Sequence, residues 1–511
     1  MFYLSSSYLR LLNILMLFFC MLHTEMAAQL SSNYCVSNLD HSNDPRPFFP
    51  SHIKLGEIEF VIPESADLLR QYIRYPSLSG SEANAVNYFQ NLCKEKGLYI
   101  FEMNSKDGSR NFIASVFPLS SGKPNYIFLN HADVVDVPAA GDWKYPPYDG
   151  VIAEGQVWGR GAYDNKGAAI VQLMAILRMA ERARSENWPV NFSLLCMSGE
   201  EVFSPGGAGF VAENHIETLN AAAFFGEGPA GLQGVVPRKS EEKVFSVALA
   251  HKRALWLKLR LAYESSGHGS TPPLHYPNKD MVSAVNRVLK SKEKLQFNEL
   301  NTTILHLLGD MEGGTKGFFL KNIHLMTPVA RAIIRKNPLY LSFFANTISL
   351  TRIQNEGLSH NSIPNEVVAL LDCRLLPGIK TEDFINKIKR QLKNKNITVE
   401  VVLETPDALP TKPDVFLYGS IEKSIHSVYS DAVVAPMMLQ ATIDSNYFRE
   451  KGYPVYCFVP ILLTPQILRT VHARNERVPI VALENGIQIT EELIKRIGER
   501  AVLVSRPIKF D

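Results

Sequence analysis

Two glutamates stand side by side, Glu200 and Glu201, just after the apolar run in "LLCMSGEEVFSPGGAGF". Neighbouring carboxylates repel unless something positive lies between them. Two other apolar runs end in the same way. "YIFLN" (126–130) leads into His131 and Asp133 of "HADVVDV", and "AAAFF" (221–225) leads into Glu227. "VWGRGAYDNKG" adds Asp164 at a glycine-rich turn. Each of these residues alone has an ordinary explanation: a core or loop histidine, a solvated loop, a helix cap. Three strand-like runs that each stop at metal-ligand residue types, with Asp164 beside them, point instead to one shared site. Imidazole and carboxylates without thiolates suit zinc, and also manganese or cobalt. The carboxylates exceed what one ion needs. Two cations, roughly 3.5–4 Å apart as in co-catalytic centres, would use one carboxylate as a bridge. "SPGGAGF" is not read as a phosphate cradle, because no Lys-Ser/Thr follows it.

In an open α/β sheet a ligand site forms at the carboxyl ends of the strands. "VNFSLLCM" (190–197) and "VYCFVP" (455–460) read as buried strands like the two above. A helix fits "DNKGAAIVQLMAILRMAERA", with Ile170, Leu173, Leu177 and Ala180 on one face and Asp164 or Asn165 as its N-cap. "TEELIKRIG" (490–498) fits a last helix. The middle of the chain has another rhythm. "ALWLKLRLAYES" (254–265) alternates, with Leu255, Leu257, Leu259 and Leu261 on one side, as in a half-buried strand. A helix around "MVSAVNRVLKSKEK", strands in "ISLTRI" and "EVVALLDCRL", a helix in "TEDFINKIKRQLKN" and a strand in "ITVEVVL" follow. That order is β-α-β-β-α-β. "NEGLSHNSIPN" supplies turn residues for a hairpin at the β-β step, and 295–346 is too long for an ordinary connection and reads as a helical insertion.

A chain of 511 residues needs more than one domain. A net charge of +2 without a long basic run gives nucleic-acid binding no electrostatic support. "LLNILMLFFCML" (11–22) has the length of a signal h-region, and "EMAAQ" offers small residues for cleavage near Ala27 or Ala28. The run is shorter than the ~20 apolar residues of a membrane span. The expectation is export, secreted or periplasmic, with an uncleaved N-terminal anchor as the alternative. Phe19 before Cys20 is too bulky for a lipoprotein site. The six cysteines form no CxxC and no regular spacing, which excludes a disulfide scaffold and a cysteine zinc site. Cys196, Cys373 and Cys457 fall in apolar runs and read as small core residues.

"HADVVDV", "WGRGAYDNKG", "SGEEVFSPGG", "FGEG", "SGHGSTPP" and "VHARNERV" stand in an order that resembles the M20 zinc metallopeptidases. The likeness covers nearly all the chain after the leader. It is greatest for the branch with carboxypeptidase S (Gly-X carboxypeptidases) and N-fatty-acyl-amino-acid hydrolases. The resemblance implies an α/β zinc-peptidase catalytic domain, a mixed sheet flanked by helices, interrupted by a ferredoxin-like βαββαβ lid or dimerisation domain. The corresponding boundaries are a leader at 1–28, the first catalytic part at 29–253, the insert at 254–405 with its helical insertion near 295–346, and the second catalytic part at 406–511.

Residue by residue, the resemblance implies that His131 and Glu227 bind one of two Zn2+ ions per subunit, that Asp164 bridges both, and that Glu201 and His472 bind the other; Mn2+ or Co2+ are possible substitutes. Glu200 becomes the general base and Asp133 the partner that orients the His131 ring. His268 of "SGHGS" matches a histidine that stabilises the oxyanion, often from the neighbouring subunit of a homodimer. Asn361 and Arg374 match positions that hold the substrate's carboxylate, a task suited to a planar guanidinium. His360 receives no role. Two positions depart from the family's pattern: Gly226 stands where Asp is usual before Glu227, and Asn446 of "DSNYF" stands where Arg is usual. Neither removes a ligand or the base.

The implied reaction is hydrolysis of a peptide or amide bond next to a free C-terminal carboxylate. The substrate is a small peptide, cut by a Gly-X type carboxypeptidase, or an N-acyl amino acid, as for an aminoacylase. A non-catalytic binding protein that kept the fold is the reading from a different class.

Overall fold

The computed structural model describes residues 52–55, 58–137, 142–234, 240–264, 267–322, 327–336, 338–355 and 359–505. The leader expected at 1–28 lies outside them. Among the described residues no helix is long and apolar enough to cross a membrane.

The chain separates into two units. The first comprises Met1–Ser246, Pro413–Val434 and Tyr456–Asp511, and the second Val247–Lys412 and Ala435–Val455. An eight-stranded sheet is built from β1 (Tyr99–Glu102), β2 (Phe112–Ser115), β3 (Asn125–His131), β4 (Asn191–Met197), β5 (Ala221–Gln233), β6 (Lys243–His251), β11 (Val433–Leu439) and β12 (Val455–Leu463). Its order is β11-β6-β12-β5-β3-β4-β2-β1. β3 runs parallel to β4 and to β5, while β2 lies between β1 and β4 and is antiparallel to both. Every residue of β4 is buried. Burial on both faces is why this strand reads as a continuous apolar run rather than an alternating one.

The register of β3 and β4 ends on the pair His131 and Met197. Both strands therefore stop at the same edge, and the chain after each is delivered there. β5 behaves otherwise. It pairs with β3 only as far as Phe225, then continues to Gln233 and pairs with β6 at Leu232 and Gln233. Glu227 thus sits within a long strand and not after its end, as the apolar run alone suggested. It lies two residues beyond the last partner of β3.

Helix α1 (Lys166–Ser185) starts beside Asp164, and Asn165 occupies its N-cap position without a side-chain capping bond. Its buried face is wider than the four-residue stripe expected, running through Ile170, Val171, Leu173, Met174, Ala175 and Ile176. The reason is that it packs on β3 and β4 on one side and on the C-terminal helix α4 (Ile480–Ser505) on the other. That last helix is much longer than 490–498.

In the second unit β7 (Arg253–Ala262), β8 (Thr347–Gln354), β9 (Glu366–Leu375) and β10 (Thr398–Glu404) form an antiparallel sheet ordered β8-β9-β7-β10. Leu255, Leu257, Leu259 and Leu261 are buried in a core with Met281 and Val285 of α2 (Pro277–Leu289) and Phe384 and Ile388 of α3 (Thr381–Leu392). Four helices occupy Glu299–Glu312, Gly314–Lys321, Thr327–Lys336 and Pro338–Phe344. Between β8 and β9 the chain does more than turn. Ser362–Ile363 pairs with Gly267–His268 in a small antiparallel bridge of its own.

Candidate metal centre

The end of β3 presents the His131 ring. Its Nδ1 lies 3.0 Å from the backbone oxygen of Asp133, which can only accept, so Nδ1 carries the proton. In the neutral ring Nε2 then holds a lone pair. It faces Asp164 Oδ1 at 3.2 Å and Glu227 Oε2 at 3.3 Å. Three acceptors converge with no donor among them. The other oxygen of Asp164, Oδ2, lies 2.9 Å from His472 Nε2, which also lies 3.2 Å from Glu201 Oε1. His472 Nε2 and Glu201 Oε1 are buried and have no hydrogen-bond partner of suitable geometry.

The donor atoms form two groups, His131–Asp164–Glu227 and Asp164–Glu201–His472, each with its atoms within 4.8 Å of one another. Asp164 belongs to both, one oxygen to each. Two imidazoles and three carboxylates without thiolate fit divalent cations of the zinc, manganese and cobalt kind.

The electrostatics carry the same message. Burial works against a charged His131, yet its hydrogen bonds with Asp133, Asp164 and Glu227 hold its pKa well above the usual imidazole value. His472 is likewise disfavoured as a cation by burial but raised by Glu201 and Asp164. Burial pushes the Glu201 carboxyl up, to about 7, with His472 opposing. Glu227 is pushed up by burial and then by the charge of Asp164. For Asp164 burial acts upward too, but the hydrogen bond to His131 and the close contact with the His472 ring win and leave it lowered. Protons are held tightly because the cluster lacks positive charge, and divalent ions meet that need better.

Asp133 does more than orient a ring. Its Oδ1 accepts from the Glu200 backbone N–H at 3.0 Å, and its Oδ2 accepts from that of Glu201 at 3.1 Å and from Ser79 Oγ at 2.7 Å. Burial raises its pKa, but the His131 ring first, then Ser79 and the Glu201 N–H, hold it below the usual carboxylate value. One buried carboxylate therefore fixes both the His131 loop and the Glu200–Val202 turn. Gly199 leads into that turn at φ 71°, and a Cβ there would meet Ser204 Cβ at 2.3 Å. Glu200 is buried within the turn.

His268, Asn361 and Arg374 lie in the second unit. The small bridge brings His268 and Asn361 together, with the Asn361 amide 3.2 Å from His268 Nε2, and both residues are exposed. Ser270 N donates to His268 Nδ1 at 3.2 Å, so N–H groups face both ring nitrogens. Arg374 turns its fork onto Asp372, Nε to Oδ1 at 2.8 Å and Nη2 to Oδ2 at 3.0 Å, while Nη1 donates to Thr442 Oγ1 at 3.1 Å. Asn446, the departure from the family's pattern, is buried and accepts from Arg449 Nη1 at 2.6 Å. An arginine thus reaches position 446 from one helical turn away.

Sequence reasoning passed over two residues at this centre. Ser79 carried no signal, since a lone serine before a glycine is ordinary. Glu476 carried one: it is the acidic member of "VHARNERV", a stretch read only for its histidine.

Comparison with known proteins identifies the family and its fold. A family model described as Peptidase family M20/M25/M40 matches residues 127–496. The N-fatty-acyl-amino acid synthase/hydrolase PM20D1 of Mus musculus is 28% identical over 392 residues, 74% of this chain and 76% of the mouse protein. A probable carboxypeptidase S-like 2 of Dictyostelium discoideum is 26% identical over 382 residues, covering 72% and 71%. Among solved structures, the M20 family metallo-carboxypeptidase Sso-CP2 from Sulfolobus solfataricus superimposes with a TM-score of 0.65 at 19% identity, over 85% of this chain and 99% of that one. Human carnosine dipeptidase 1 does so with a TM-score of 0.63 at 15% identity, over 85% and 96%.

Proposed function

The chain belongs to peptidase family M20/M25/M40 and is a hydrolase, and from that premise we propose that it cleaves an amide bond whose amino-acid side bears a free carboxylate, using two zinc ions. The observation that carries the proposal is the pair of donor groups sharing one carboxylate, Asp164, with Oδ1 toward His131 and Oδ2 toward His472. His131 and Glu227 would hold one ion and Glu201 and His472 the other, with Asp164 available to both.

Bound ions of this kind polarise the scissile carbonyl and lower the pKa of water toward neutrality. The protein's own groups do the rest. Glu200 removes a proton from the attacking water and returns it to the leaving amine. Asp133 keeps Glu200 in reach through the backbone bond it accepts. In the neutral ring it also leaves the lone pair on Nε2 of His131, because the Nδ1 proton is engaged on the Asp133 carbonyl. His268, as a ring N–H donor, serves the oxygen that gains negative charge, where a well-placed donor is worth several kcal/mol. Arg374 and Asn361 hold the substrate's carboxylate, Arg374 by exchanging its fork from Asp372 to the substrate.

On the acyl side, similarity to the mouse N-fatty-acyl-amino acid synthase/hydrolase supports an N-acyl amino acid over a Gly-X peptide. The experiment is a screen of purified protein against N-acyl amino acids with short and long chains and against dipeptides, with zinc, without it and with chelator. Chelator-sensitive cleavage confined to substrates with a free carboxylate is expected. Cleavage of esterified or amidated substrates at equal rates rejects the carboxylate requirement, and activity untouched by chelator rejects the ions. Metal analysis of the purified protein identifies zinc directly.

A further inference from the structure

We infer that Glu476 is a positioning residue that sets the separation of Asp164 and His472, and thereby the affinity for the ion these two residues share with Glu201. Its role rests on the two-ion reading above. Glu476 is fully buried. Its carboxylate accepts four hydrogen bonds. Oε2 takes Arg160 Nη1 at 2.7 Å and Gly161 N at 3.1 Å; Oε1 takes Tyr163 N at 3.1 Å and Asp164 N at 3.1 Å. Its backbone oxygen accepts Gly159 N at 2.9 Å. One residue thus grips the turn at 159–164 along its length and ends on the main chain of the shared ligand. Glu476 also follows His472 by four residues, so the same carboxylate ties the loop of one ligand to the loop of the other.

A second observation is independent of those bonds. His472 and Asn475 both take left-handed backbone angles, φ 57° and 61°. Such angles are sparsely populated by residues with a Cβ and persist only where surrounding ties over-determine them. The ties are present at the far end of this loop. Asn475 Oδ1 accepts Lys144 N at 2.7 Å, and Arg477 Nη1 donates to Asn475 O at 2.9 Å. Glu476 sits between these anchors.

The chemistry of the grip demands a carboxylate. All four partners donate, and a glutamine offers only one accepting oxygen, so its amide would face donors. Arg160 compensates the buried charge, and its Nη2 is fixed on Asp136 O at 3.1 Å. Glu476 makes no contact with the ligands' side-chain atoms. Its effect travels through the backbone of residue 164.

The test is a Co2+ titration of metal-stripped, full-length protein, followed by calorimetry and by the visible absorption bands of the bound ion, for wild type, E476Q and E476D. Wild type is expected to bind two ions. E476Q is expected to keep its circular dichroism spectrum, bind one ion about tenfold or more weakly, and show shifted bands. E476D keeps the charge but is one methylene short, and falls between. Wild-type affinities and bands in E476Q overturn the role of Glu476. Should E476Q fail to fold, E476D decides by the same titration: unchanged affinity overturns the inference and a loss at one ion supports it. A wild-type protein that binds no Co2+ overturns the two-ion reading and the role of Glu476 with it, whereas two ions in wild type beside an unaltered variant overturn the latter alone.

Discussion

The two units treat their polar residues in opposite ways. In the first, five side chains that could hold metal ions meet; the loops carrying His131, Asp164, Glu201 and His472 are tied by bonds to a buried carboxylate, Asp133 or Glu476, and Glu227 stands within a strand. In the second, His268 and Asn361 sit exposed on a bridge of two residue pairs, and Arg374 is closed onto its own neighbour Asp372. Under the proposed function the difference separates two tasks. A cluster of like charges must be held rigid before the cations arrive, because its members repel one another. Groups that meet a substrate must be able to exchange partners. Pre-organisation belongs to the first set and adaptability to the second.

Substitutions can break that contrast or sharpen it. The largest effect is expected from E200Q, which removes the proton carrier and leaves the donor groups untouched. Turnover should fall by about 10³-fold, with the metal content of wild type by atomic absorption; normal turnover sinks the base assignment. H472A comes next. It should lower the bound metal toward about one ion per chain and abolish most activity, and a variant that keeps two tightly held ions rejects His472 as a ligand.

In the second unit H268A should reduce kcat by about 10²-fold at unchanged metal stoichiometry. A changed ion count would show that the two sets are not separate. R374M should act on KM, raising it about tenfold or more while kcat moves less. An equal fall in kcat would show that Arg374 is used only in the transition state.

The smallest effect concerns stability. Lys252 is fully buried, and burial, followed by the charge of Arg374, lowers its pKa from the usual lysine value to about 7. The unfolded chain therefore binds more protons than the folded one between about pH 7 and the ordinary lysine range near 10.4. The contribution of this side chain to stability rises with pH across that window and is lost as pH falls through 7. K252M should raise Tm by a few degrees at pH 7 and by less at pH 10. A gain independent of pH would place the cause in packing and not in the charge.

Much of the first set was legible in the chain. β3 and β4 are buried on both faces, so they appear as apolar runs, and the residues that follow them are easy to find. β7 was legible for the opposite reason, since one solvated face makes its leucines alternate. Glu227 was found as a candidate but misplaced, because β5 changes neighbours along its length and no local pattern marks that exchange. The bridge that pairs His268 with Ser362 was not legible at all: two residues carry no periodicity. Glu476 was hidden by ordinary appearance. A glutamate in a charged loop reads as solvated until its burial is known.

What the sequence determined by itself is the chemical kind of the site: a histidine and carboxylates without cysteine, after apolar runs, suit divalent cations, and the resemblance to M20 peptidases adds hydrolysis. What only the tertiary structure decided is which oxygen faces which ring. The two oxygens of Asp164 meet His131 and His472, residues far apart along the chain, and the carboxylate that holds Asp164 in that attitude belongs to Glu476. Side-chain type is written locally. A bridging geometry is a set of distances of about 3 Å between distant segments, and such distances are fixed by the packing of the whole sheet and its buried ties.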